Sequence, residues 1–132
     1  MHFKIDTKEK FTVVTPISGV LSANIAAELA QTGSGILEKD VKNVILQMEQ
    51  VSAVDDGAAA VLLEMSQQFY ESNASFVICC LQPAVEEQLE QKELLEMLNV
   101  TPTESEAWDI VQMEEIEREL LDGDDMEFES NA

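Results

Sequence analysis

Residues 41–70 read VKNVILQMEQVSAVDDGAAAVLLEMSQQFY, and their order of residue types decides the fold class. Val41 to Val51 is an apolar run in which Val41, Val44, Leu46, Met48 and Val51 partly alternate and Ile45 is also apolar. That is the pattern of a strand buried on much of both faces. Gly57 to Tyr70 is a predicted helix, because Ala58, Val61, Leu62, Met65 and Phe69 recur at helical spacing. Ala58, Ala59 and Ala60 make its first turn slim, so it can pack closely on a sheet or admit a partner. Between strand and helix stand Asp55 and Asp56, at the kind of strand-to-helix loop where open α/β sheets commonly place a site.

Working towards the N-terminus, FKID (3–6) and FTVVTPI (11–17) are rich in β-branched and aromatic residues, with the polar stretch Thr7 to Lys10 between them. They predict a hairpin, with Pro16 at a strand end or on an edge because it cannot donate to a ladder. Ser18-Gly19 reads as a turn. Ser22 is the predicted N-cap of a helix from Ala23 to about Gln31, with Ile25, Ala26 and Leu29 on one face and Gly33-Ser34-Gly35 ending it. No Walker-type Lys-Ser/Thr or GxGxxG pattern follows those glycines, so a phosphate loop is not supported.

Towards the C-terminus, SFVICCL (75–81) is the most uniformly apolar short run and predicts a central strand. On a strand, Cys79 and Cys80 point to opposite faces and form no ordinary disulfide. Pro83 suits the first position of a helix reaching about Leu98, whose apolar spacing shifts near Gln91-Lys92 and allows two shorter pieces. Val100-Thr101 reads as a brief final strand. Thr103-Glu104-Ser105-Glu106 is a capping box opening a last helix, with Ala107, Trp108, Ile110, Val111 and then Leu120 and Leu121 inward. Residues 1–113 form one domain, and 114–132 an acidic extension with nine Asp or Glu among its nineteen residues and a single Arg118, a helix fraying into a tail near Gly123. The expected fold is α/β, a single mixed β-sheet with helices packed on it in the order ββαβαβα(β)α. Right-handed crossovers make the strands at 41–51 and 75–81 parallel neighbours.

The chain has 132 residues, is 45% apolar and carries a formal net charge of −20 from 27 acidic and 7 basic residues. Such a charge disfavours nucleic acid and membrane surfaces and favours a protein partner with a basic surface. The N-terminus MHFKIDTKEKF lacks the apolar stretch of a secretory signal, no window resembles a membrane span, and the cytoplasm is the expected compartment. The only histidine, His2, stands at the terminus, which disfavours triad hydrolysis and, with two neighbouring cysteines alone, a metal or redox site. Asp55 and Asp56 can act as acid and base or hold Mg²⁺, but adjacent carboxylates need a third ligand from elsewhere. A Mg²⁺-dependent aspartate phosphoacceptor is the enzyme-like alternative. The simpler role is capping of the following helix by one of the two, worth about 1 kcal/mol.

Several stretches taken together resemble the STAS domain over roughly residues 3 to 115: the opening hairpin, ISGVLSANIAAEL, VILQMEQVSAVDDG, GAAAVLLEMSQQF, SFVICCL, PAVEEQLEQ with LLEML, and ESEAWDIV. The resemblance is to bacterial anti-sigma factor antagonists and to the cytoplasmic modules of sulphate transporters. Phosphoacceptor receiver domains are similar in size, but they need an acidic pair after the first strand and a late lysine, where this chain has VVTPISG and VTPTE. In antagonists the loop typically reads Asp-Ser-Ser/Thr-Gly and its first serine is phosphorylated by a partner that is both anti-sigma factor and kinase. Aligned on Gly57, this chain has Val54-Asp55-Asp56-Gly57, so Asp55 replaces the switch serine and is only a partial mimic of phosphoserine: it locks the chain in a weakly binding form if the partner excludes charge at this loop, or is an attractive contact if the partner supplies Arg or Lys there. The resemblance implies a non-enzymatic regulatory module without a cofactor or a metal. Its expected contacts are Val54, Asp55, Asp56, Gly57, Ala58 and Val61, with Ser22 and Asn24 as secondary contacts. A second partner class under the same resemblance is the ATPase of a lipid-transport system, for which the chain is an accessory subunit. A homodimer formed through the last helix is a further expectation.

Overall fold

A computed structural model describes the backbone of residues 3–131 and the side chains of residues 3–120; His2 and Leu121, read from the sequence, lie outside the described side chains. A hairpin opens the chain: β1 (Phe3–Thr7) pairs antiparallel with β2 (Thr12–Pro16), and Pro16 is the last residue of its strand, opposite Phe3. Strand β3 (Val20–Leu21) leads into helix α1 (Ala23–Leu37), followed by β4 (Val44–Gln47), β5 (Ala53–Val54) and helix α2 (Asp56–Glu71). Next come β6 (Phe76–Cys79), α3 (Pro83–Gln91), a single 3-10 turn at Leu95–Met97, β7 (Val100–Thr101) and α4 (Glu104–Asn131). The five-stranded sheet has the order β1-β2-β4-β6-β7 and is parallel except for β1, while β3 and β5 pair parallel in a small separate sheet.

Alternation along the strands splits the core in two. Val14, Val44, Leu46, Phe76 and Ile78 face the layer of α1, α2 and α3, and Val13, Ile45, Val77 and Cys79 face Ala107 and Val111 of α4. Both faces are therefore covered, as the near-continuous apolar runs of β4 and β6 require. The strand expected over Val41 to Val51 is only Val44–Gln47. The Gln47 Oε1 atom accepts the Glu49 N–H at 2.8 Å, and the Val51 N–H returns to the Met48 carbonyl, so the chain turns at once.

Three further sequence expectations need correction. Helix α1 does not end at Gly33-Ser34-Gly35 but runs through it to Leu37. Gly33 is buried where α1 crosses α2, and a Cβ there would lie 2.8 Å from Met65 Cε and 3.3 Å from Phe69 Cε1, so this glycine serves close helix contact. The two cysteines do not alternate: Cys80 adopts a left-handed φ of 61°, leaves the strand, and sets its thiol beside that of Cys79 in the same apolar cluster. On α4, Ala107 and Val111 point inward, but Trp108 is 44% exposed beside the Phe11 ring and Leu120 is 53% exposed. Half of the expected capping box is present: the Glu106 N–H donates to Thr103 Oγ1 at 3.2 Å, while the Glu106 carboxylate meets the Thr103 hydroxyl rather than its backbone N–H. Pro83 occupies the first turn of α3, and the break after Gln91 separates α3 from the 3-10 turn.

The backbone of α4 remains helical past Gly123, where the sequence suggests a tail. One glycine costs about 1 kcal/mol against Ala, too little to end a long helix by itself. Glu114, Glu115 and Arg118, assigned to the extension, are bonded into the domain. Ser75 Oγ donates to Glu114, the Asn43 amide donates to Glu115, and Arg118 donates to Ser75 Oγ and Asn43 Oδ1, each at 3.2 Å.

Candidate functional site

The Asp55-Asp56-Gly57 loop is anchored on both sides. The small β3–β5 sheet sets Leu21 opposite Val54, and the Asp55 N–H donates to the Leu21 carbonyl at 3.0 Å. From α3, the Gln88 side chain accepts the Val54 N–H at 3.1 Å. Two-residue strands carry no periodic signal, so neither β3 nor β5 was legible as a strand. Together they place the start of α1 beside the start of α2. A Cβ on Gly57 would lie 3.0 Å from Ala23 Cβ, so the close approach of the two helix starts depends on glycine at 57.

Within this frame the two aspartates take different roles from those expected. Asp55 holds the N-cap position of α2 in extended backbone, but its side chain makes no capping hydrogen bond. Asp56, in the first turn, is ion-paired with Lys92 at the end of α3. The expected capping of α2 by one of the two carboxylates is absent: Asp56 is paired across to α3 and Asp55 is left without a cap contact. Both are exposed.

The remaining candidates sort by burial. Gly57 is exposed and Val61 half-buried, whereas the side chains of Val54 and Ala58 are buried in the core. Burial assigns Val54 and Ala58 to positioning the loop: their side chains offer no surface, which comes instead from Asp55, Asp56, Gly57 and exposed Ala60. Ser22 caps α1, its Oγ accepting the Ile25 N–H at 3.3 Å, and Asn24 is exposed immediately after Ala23, the residue that meets Gly57. Sequence reasoning missed three contributors: Lys92, Gln88 and the apolar Val20, which is 45% exposed and paired with Ala53 next to the loop. The signal for Lys92 was its isolation as a cation after a run of glutamates, but nothing local told which carboxylate it would reach.

The site is an exposed acidic loop with the apolar Val20 beside it. Among the described residues no group of three or more His, Cys, Asp or Glu could hold a metal ion, and no helix is long and apolar enough to cross a membrane.

Comparisons with known proteins agree with this architecture. The profile of the STAS domain family matches residues 2–107. A Thermotoga maritima protein described as an anti-sigma factor antagonist superposes with a TM-score of 0.73 at 19% identity, over 83% of this chain and 94% of that one. The phosphorylated form of the Bacillus cell-fate determinant SpoIIAA gives 0.61 at 18% identity, over 83% and 98%. The murine anion transporter Slc26a9 gives 0.64 at 18% identity, over 82% of this chain and 18% of the transporter.

Proposed function

Since the chain belongs to the STAS domain family, we propose that it is a non-enzymatic, cytoplasmic regulatory module that binds a protein partner through the Asp55-Asp56-Gly57 loop, in the manner of an anti-sigma factor antagonist. The observation that carries the reading is the Asp55 carboxylate, free of any capping duty on a loop pinned by β3 and α3. A fixed charge at this point gives the partner one permanent state to recognise. The partner surface that complements it presents Lys or Arg to Asp55 and an apolar patch to Val20. Electrostatic complementarity of this kind speeds encounter and fixes register. Lys92 neutralises Asp56, so Asp55 is the dominant negative contact of the pair.

The test is calorimetric titration of the kinase-like anti-sigma factor encoded nearest this gene with the wild-type chain and the Asp55→Ser variant. Binding is expected for the wild type, and weakening of about five-fold for the variant, as loss of about 1 kcal/mol from one exposed charge pair would give. Stability of the variant should stay within about 0.5 kcal/mol, because no cap is lost. Tighter binding by the variant would mean a partner that excludes charge at this loop. Absence of binding by the wild type would remove the anti-sigma assignment.

A further inference from the structure

Helix α4 has two apolar faces, and only one of them is used by the fold. Ala107 and Val111 pack on the sheet, and Glu114, Glu115 and Arg118 continue that side as hydrogen-bonding groups. On the opposite side stand Met113, Ile116 and Leu120, exposed by 59%, 54% and 53%. Their i, i+3, i+7 spacing makes one continuous outward stripe. The stripe cannot roll inward, because Asn43 at 4% and Ser75 at 1% exposure hold the other face of the same turns. Beside Ile116 lies a shallow cleft of about 240 Å³, lined by Lys10, Gln112, Glu115, Ile116 and Glu119.

Charge identifies what can cover this stripe. From Glu104 to Leu120 the helix carries seven acidic residues and one cation. That cation, Arg118, is engaged inward with Ser75 and Asn43, and Lys10 is the one basic residue at the cleft. A second copy packed on the stripe would set two such acidic helices side by side, and anionic headgroups would be repelled in the same way. An apolar surface flanked by Lys and Arg is attracted instead. We propose that the Met113-Ile116-Leu120 stripe of α4 is a second docking surface that inserts into an apolar groove with a basic rim on a partner protein. Helix-in-groove recognition uses such anchors at i, i+3 and i+7. The stripe faces away from the sheet on the side opposite α2, so it is independent of the Asp55 loop and would let the chain hold two partners at once.

The test uses the full chain and a designed amphipathic helical peptide with Leu on one face and Lys on both flanks, read by fluorescence anisotropy. Wild type should bind it, with affinity falling as salt rises, and should bind the twin peptide with Glu flanks at least about ten-fold more weakly. The M113S/I116S/L120S variant should lose about ten-fold or more, and I116S alone should lose part of this. The three positions are exposed, so circular dichroism should show unchanged folding. Equal binding by wild type and the triple variant would overturn the proposal, since acidity alone would then explain the attraction. A dimer in light scattering that the triple variant dissolves would overturn it in favour of a second copy. Stripe-dependent binding to phosphatidylcholine vesicles would overturn it in favour of lipid.

Discussion

Asp55 and Asp56 are chemically identical neighbours given different surroundings by one cation. Lys92 reaches Asp56 and not Asp55, and the N-cap carboxylate is left outward although capping would have contributed about 1 kcal/mol. The position of the loop was legible from residue order alone, because a buried strand, a polar break and a small-residue helix can be arranged in few ways. The division of labour was not, because it depends on a lysine 36 positions away in the chain. Cys79 shows the same dependence on surroundings. Burial, and then the neighbouring Cys80 thiol, push its pKa far above the ordinary thiol value of 9.0. In the folded chain the proton therefore stays on at pH values where the unfolded chain releases it. Stability from this group is intact below about pH 9 and is lost as pH climbs beyond it. Urea denaturation of wild type and Cys79→Ala between pH 8 and pH 10.5, about the span over which an unperturbed thiol titrates, should give a shallower alkaline decline for the variant. The same slope in both proteins would mean that the thiol titrates freely in the fold.

At the scale of elements, the two glycines of α1 separate what pattern reading can see from what it cannot. Glycine pairs near the end of an apolar stripe suggest a stop, yet both remain helical, and neither has a positive φ. Gly33 is needed for the approach of α2, whereas a Cβ at Gly35 would meet nothing within 4 Å. Gly35→Ala should stabilise the protein by about 0.5 kcal/mol through reduced freedom of the unfolded chain. Gly33→Leu should destabilise it by about 2 kcal/mol or more, because Met65 and Phe69 must be displaced from a filled interior. Thermal denaturation of the pair checks both, and similar melting temperatures for the two would show that α1 and α2 do not meet at Gly33. Periodicity found the long elements because burial of one face repeats along them. It missed β3 and β5, whose two residues each are held by pairing across 33 positions of sequence.

At the scale of the whole molecule, the question is where the domain ends. Composition changes at Glu114, and a boundary there follows from charge density alone. The structure instead uses the first acidic turn to complete the sheet: Asn43 and Ser75, buried at the start of β4 and β6, are bonded to Glu114, Glu115 and Arg118. Charges that look solvated in one dimension are fastening groups in three. Hydrogen bonds to charged groups contribute about 1.5 to 3 kcal/mol each, and part of that returns as water when the helix turn is removed. A chain ending at Met113 should therefore be less stable than one ending at Leu120 by about 2 kcal/mol, seen as a urea midpoint lower by about 1 M. Asn43 would keep the Lys10 carbonyl and the Ser75 N–H, so the shortened chain should still fold. Arg118→Ala in the full chain should reproduce part of the loss, because it removes two of the four bonds while leaving the length unchanged. Equal midpoints for the two truncated chains would place the boundary back at Met113 and make the network a surface decoration of a domain already complete.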